Sequence, residues 1–366
     1  IVCDDLIQFG GAEKVFLAIH AMWPDAPVYT SVASKRWLDI CKEKKIDLHT
    51  SFMQKLPFVE KLNRYYFIFL LHIFAFESFD FTKYDVVLSL SARFAHFIIT
   101  KPQTKHICYM HSPGRMFWEP VDYFENESFG FFKPIKALSK LVLSLPLSVI
   151  RASDYAAAHR VSLFIANSKT PRERIRKYYG QNAAIVYPFC EVKKREIEVS
   201  AKTATPEKYF LILTRLLSWK RVDIAIDACT KLGVNLKIIG VGPALGELQK
   251  KASSNIEFLG YAEDKKDELL AGCTALINTQ KEDFGIVPLE AMSFGKPVIA
   301  YGEGGVLETV VPGLTGEFFY EQTAESLQNV LQTFDASRYK SEDCIKQAEK
   351  FNRERFVTQM QGFAQP

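Results

Sequence analysis

Residues 281–297 run Lys281-Glu282-Asp283-Phe284-Gly285-Ile286-Val287-Pro288-Leu289-Glu290-Ala291-Met292-Ser293-Phe294-Gly295-Lys296-Pro297. The apolar run Thr274–Asn278 before them reads as a buried strand. The stretch after Pro288 reads as a short helix that stops at Gly295-Lys296-Pro297. A strand, a tight glycine loop and a helix N-terminus make an anion site, because backbone N–H groups and the helix dipole both point at it. Glu282 precedes that site and Glu290 lies just inside the helix. Amides for phosphate beside carboxylates for hydroxyls suit a nucleotide sugar.

Working outward, short β-branched runs alternate with amphipathic stretches, the pattern of parallel α/β sheets. Strands are expected at Ile1–Cys3, Val28–Ser31, Val86–Ser89, His106–Met110, Leu163–Ala166 and Ala184–Tyr187. A second set is expected at Tyr209–Thr214, Asn235–Ile239, Ile256–Leu259, Thr274–Asn278 and Val298–Tyr301. The charged segment after Pro188 carries no aromatic residue and reads as a linker, 191–206. It separates a Rossmann-like domain at 1–190 from a second at 207–349. Segment 131–160 reads as a long helix interrupted by Pro146. We read it as a surface helix with its apolar side on the core; a helix lying on an anionic membrane is the alternative.

At 366 residues the chain is long enough for two domains. Its net charge is +4, with the basic excess in the first 200 residues and a slightly acidic remainder. The basic half suits an anionic surface or a diphosphate carrier, or is a solvated face. Seven cysteines are scattered without Cys-x-x-Cys spacing, which predicts a reducing compartment and neither disulfides nor a zinc site. The start reads as a strand, so no signal peptide is expected. The longest apolar run, Tyr65–Phe76, is too short to span a bilayer.

Other residues gather at predicted strand ends, where α/β folds bind ligands. Gly10-Gly11 follows the first strand and lets a ligand approach the backbone, or simply makes a turn. It is not G-x-G-x-x-G, which argues against a dinucleotide oxidoreductase. His111 follows Met110, where an imidazole can donate to a sugar hydroxyl or sit as a satisfied structural residue. Arg215 ends a strand, and a loop brings Lys220 to the next helix. Such cations can clamp a diphosphate, or can be two exposed charges in weak surface pairs. Gly240-Val241-Gly242-Pro243 marks another tight strand-to-helix turn.

Taken together, Arg215, Lys220, the Gly240 turn and Glu282-x7-Glu290 give a chain that resembles the retaining family-4 glycosyltransferases of the GT-B fold. Glu282–Glu290 and Ile299–Gly305 look, more narrowly, like the mannosyltransferase-B-like branch that builds bacterial O-antigen and exopolysaccharide. The resemblance implies an α/β fold with two Rossmann-like domains whose parallel sheets face across a cleft. It implies an N-terminal acceptor domain onto which residues 350–366 pack back. Arg215 and Lys220 would hold the donor diphosphate, Glu282 the transferred sugar and Glu290 the ribose. Gly10, Gly11, Gly240 and the amides of Phe284, Gly285, Ile286 and Val287 would complete the donor site. His111 would touch the hexose near the reacting centre. No Asp-x-Asp occurs, which agrees with a metal-independent reaction needing no cofactor beyond the donor co-substrate. One departure stands out: relatives often carry His-Asp-Trp after the first strand, and this chain has Cys3-Asp4-Asp5, so the acceptor edge is expected to differ.

The expected reaction is transfer of a hexose with retained configuration, on electrostatic stabilisation of the leaving diphosphate. GDP-mannose is the preferred donor, with a UDP-hexose as rival. The expected acceptor is a glycan or polyprenyl-diphosphate-linked glycan. The expected place is cytoplasmic, in peripheral contact with the inner face of the cell membrane. An epimerase of the same fold, or a sugar-binding scaffold, is the alternative class. Nucleic-acid binding is not expected, because no basic-aromatic motif occurs.

Overall fold

The computed structural model describes residues 1–120, 136–192 and 208–364. These divide into two compact units. The described residues up to Tyr187, together with Phe356 onward, make the first; Pro188–Arg355 makes the second. Most of the expected linker, 193–206, lies outside the described residues, as do residues 131–135 of the long helical segment.

The first unit is built on a seven-stranded sheet in the order β3-β2-β1-β4-β5-β6-β7. Its strands are β1 Val2–Cys3, β2 Val28–Thr30, β3 Leu48–Thr50, β4 Val86–Ser91, β5 Lys105–Met110, β6 Leu163–Ala166 and β7 Ala183–Ile185. Every pairing is parallel. Parallel neighbours need helical crossovers, and these cover the sheet, so the central strands are apolar on both faces. β5 shows this, with His106–Met110 all buried.

The second unit carries a six-stranded parallel sheet in the order β10-β9-β8-β11-β12-β13. Its strands are β8 Phe210–Leu213, β9 Leu236–Ile239, β10 Ile256–Gly260, β11 Ala275–Asn278, β12 Val298–Tyr301 and β13 Gly316–Phe319. Helix Val222–Leu232 lays Val222, Ile224, Ala225, Ile226, Ala228 and Cys229 into the core against Leu236 and Ile238.

Two strands escape the sequence reading, β3 and β13, and both are sheet edges. Strands are read from β-branched runs, and Leu48-His49-Thr50 and Gly316-Glu317-Phe318-Phe319 have no continuous one. The long helix runs Lys136–Ala158 straight through Pro146. Its Leu147, Ile150, Asp154, Ala157 and Ala158 are buried, so that face belongs to the core. In the last helix, Arg353–Phe363, Phe356 is buried with its ring 6.0 Å from Tyr109 of β5. All seven cysteines are buried thiols without a disulfide. No described helix is long and apolar enough to cross a membrane.

In each sheet the strand order reverses direction once. The reversal lies between β1 and β4 in the first unit and between β8 and β11 in the second. The crevice outside the carboxyl ends of strands at such a reversal is the standard ligand position of open α/β sheets.

Candidate functional site

The reversal in the second unit gathers the predicted charges. β8 ends at Leu213, and the chain passes Arg215 into a single 3-10 turn, Ser218–Lys220. Thr279, just past β11, fixes this turn by donating its hydroxyl to the Lys220 carbonyl at 2.8 Å. The Lys220 ammonium lies 4.1 Å from the centre of the Trp219 ring and 2.8 Å from Glu282 Oε1. Gln280 Nε2 donates to the same Glu282 oxygen at 2.6 Å. Lys220 and Glu282 keep 12% and 20% side-chain exposure, so the pair is largely shielded yet reachable from solvent. The Glu282 main chain is pinned as well, accepting from Gly305 N at 2.8 Å.

Helix Ile286–Ser293 begins two residues earlier than the sequence suggests. Gly285 caps it at φ 87°, ψ 79°, a conformation a β-carbon resists, so glycine starts the helix in place of Pro288. Pro288 then sits in the first turn, where a missing N–H leaves no helical bond unmade. The N–H groups of a first helical turn have no acceptor within the helix, so the loop Phe284–Val287 is placed where an anion could be bound. Phe284 itself is buried, its ring 5.6 Å from Phe351, and anchors the loop.

Glu290 lies one turn further on, with Oε1 3.2 Å from Lys266 Nζ. Burial pulls the Lys266 ammonium down, but the Glu290 and Glu263 carboxylates outweigh it and hold it above the ordinary lysine range. Lys266 escaped the sequence reading because it sits in a charge run, Asp264–Glu268, that looks like a solvated helix start. Gln280 and Thr279 were legible in principle, as polar residues closing an otherwise apolar strand. Gly240 holds φ 156°, and a β-carbon there would overlap the Thr214 carbonyl oxygen. Its turn therefore packs directly against the strand end that carries Arg215, with Leu216 N donating to Val241 O at 3.0 Å.

Arg215, Lys220, Gly240, Phe284, Gly285, Ile286, Val287, Glu282 and Glu290 thus share the second unit. Gly10, Gly11 and His111 belong to the first. Gly10 caps helix Gly11–His20 in an extended conformation. His111 follows β5, its N–H donating to Ser91 O at 2.8 Å and its ring edge-on to Tyr109 at 5.3 Å. Burial pushes its imidazole down to about 4, so it is neutral at pH 7. Among the described residues no group of three or more His, Cys, Asp or Glu side chains is placed to hold a metal ion.

The family Glycosyl transferases group 1 matches residues 193–351. Alpha-1,3/1,6-mannosyltransferase ALG2 of Saccharomyces cerevisiae is 28% identical over 229 residues, 49% of this chain and 46% of that protein. ALG2 of Candida glabrata is 35% identical over 251 residues, 55% of this chain and 54% of that protein. The chain therefore spans about half the length of these curated relatives. A crystal structure of Anabaena Alr3699/HepE in complex with UDP matches with TM-score 0.70 and 18% identity, covering 99% of this chain and 98% of that one. The architecture, two Rossmann-like units with parallel sheets of seven and six strands, is the GT-B fold, and the match to the group 1 family model falls within the second unit.

Proposed function

We propose that this protein is a retaining hexosyltransferase that takes its sugar from a nucleotide diphosphate donor held by the second unit. One observation carries the reading: Lys220, Gln280 and Glu282 are bonded together at the reversal between β8 and β11, on the unit that holds helix N-terminus Ile286. Lys220 and Arg215 stabilise the charge that grows on the leaving diphosphate, and the Phe284–Val287 amides add partial charges that need no reorganisation. Glu282, held by Lys220 and Gln280, accepts from hydroxyls of the transferred sugar. Glu290 accepts from the ribose. A diphosphate competes with Glu282 for Lys220, so donor binding and the carboxylate's orientation are coupled. His111 can donate to a sugar hydroxyl without adding charge. These groups supply the stabilisation without a metal.

GDP-mannose is the proposed donor, supported by the mannosyltransferases among the relatives. The proposed acceptor is a glycan or a polyprenyl-diphosphate-linked glycan of a bacterial surface polysaccharide, reached by peripheral contact with the membrane. The test incubates the protein with GDP-mannose, UDP-glucose and other nucleotide sugars, with and without lipid-linked glycans, and identifies the nucleotide released and the anomeric configuration formed. GDP release with a retained linkage is expected. An isomerised donor without transfer would replace the reading with an epimerase.

A further inference from the structure

The reversal in the first unit, between β1 and β4, is built as deliberately as its counterpart. Asp4 and Asp5 leave β1, and Ala92 and Arg93 leave β4. The Asp4 carboxylate accepts four backbone N–H groups: Ala92 at 2.6 Å and Arg93 at 2.9 Å on one oxygen, Phe94 and Ala95 at 2.8 Å on the other. Its acceptor capacity is spent on shaping the turn that presents Arg93. Asp5 has a different role. It pairs with the Arg93 guanidinium and accepts Asn63 Nδ2 at 2.7 Å. Asn63 is held by His72 Nε2 at 3.0 Å, and the His72 ring stacks on Phe94 at 4.8 Å. A rigid polar chain thus ends in an ion pair whose arginine keeps 32% of its side-chain surface and whose aspartate keeps 12%.

We infer that the Asp5–Arg93 pair is a saccharide-recognition site that selects acceptors with neutral vicinal hydroxyls and rejects acidic sugars. The proposal rests on the glycosyltransferase reading and adds the substrate class taken by the first unit. A guanidinium beside a carboxylate sets donors next to acceptors, the complement of adjacent hydroxyls that each donate and accept. Charge points the same way. Arg93 is already neutralised by Asp5, and Asp4 adds a negative charge beside it. A carboxylate or phosphate entering there meets more negative than positive charge, whereas a neutral sugar loses nothing.

The test measures binding to the full chain by saturation-transfer NMR. The probes are neutral methyl glycosides (of mannose, glucose and N-acetylglucosamine) and methyl glucuronide. The wild type is expected to bind at least one neutral glycoside and to bind the glucuronide at least fivefold more weakly than its neutral counterpart. Asp5→Asn should weaken the neutral glycoside about fivefold or more and narrow the gap to the glucuronide. Arg93→Lys, which keeps the charge and loses the planar fork, should weaken the neutral glycoside while GDP affinity stays within twofold. Wild-type neutral-sugar affinity in both variants, or a wild-type preference for the glucuronide, overturns the inference. If Asp5→Asn does not fold, Arg93→Lys alone decides. Turnover with GDP-mannose separates the two readings. A wild type that transfers mannose while acceptor KM is the same in the variants sinks the inference alone. A wild type that releases no nucleotide from any donor sinks the glycosyltransferase reading, whatever the binding shows.

Discussion

The two sheet reversals share a plan and differ in charge. Each places an ion pair just past a central strand: Lys220–Glu282 in the second unit, Arg93–Asp5 in the first. In the second unit the pair sits in a sequence that adds Arg215 and the N-terminus of helix Ile286–Ser293, which has no side-chain cap. In the first, the backbone amides of residues 92–95 are already saturated by Asp4. On the proposed reading, the same topology leaves loop amides for a ligand in one unit and spends them on Asp4 in the other. One carboxylate would then decide which charge a reversal presents.

The largest effect that can break this comparison is on chemistry. Lys220→Ala and Glu282→Ala should each lower kcat by roughly 10²–10³-fold, the scale seen when one group that stabilises developing charge is removed. Steady-state kinetics with the correct donor checks this, and near-wild-type kcat in both variants breaks the assignment. Next comes stability. Asp4→Ala strands four backbone donors at once, so unfolding in urea should show a loss of about 3 kcal/mol or more, given roughly 1–3 kcal/mol for each buried group left without a partner. A loss below about 1 kcal/mol would mean that water replaces the carboxylate easily.

A smaller effect concerns Lys266. Lys266→Met should raise donor KM about tenfold with little change in kcat, because it holds Glu290, a proposed ribose contact. Lys266→Arg should restore most of the affinity. Equal losses in kcat and KM would place Lys266 in the chemical step.

The smallest effect separates the units by pH. All seven histidines lie in the first unit by sequence, and the second has none. Burial pushes His111 and His72 down to about 4 and His106 to about 3. For His72 the nearby Arg93 charge adds to burial, and for His106 the charges of His96 and Arg160 do. An unfolded histidine takes a proton near pH 6.5, so protons favour the unfolded state of the first unit as the pH falls from about 6.5 through 4. The stability these histidines contribute is complete above 6.5 and lost below it. Hydrogen exchange at pH 5 and pH 7 should show the β4 and β5 amides losing more protection than those of β8 and β11. Equal loss in both sheets would contradict it.

Much of the fold was legible because buried parallel strands announce themselves as short β-branched runs. The edges β3 and β13 were not, since neither carries a continuous β-branched run. In the site, Glu282, Glu290, Arg215 and Lys220 stood out because charges at strand ends interrupt an apolar pattern. Lys266 did not, because its partner lies 24 residues away and its neighbours are charged. The helix start at Ile286 was misplaced by two residues because Pro288 looked like the first position, while the left-handed Gly285 that turns the chain carries no hydrophobic signal. Asp5 was visible as a departure from a family pattern, and Asp4 as the residue that keeps it. Their division of labour, one buried in amides and one paired with Arg93, emerges only when residues 92–95 fold back beside them.

The central claim is that the second unit grips a diphosphate through Lys220. Calorimetric titration of GDP into the wild type and into Lys220→Ala tests it most directly. Binding to the wild type and at least tenfold weaker binding to the variant are expected, with an unchanged melting profile. Equal affinity in the two proteins would contradict it.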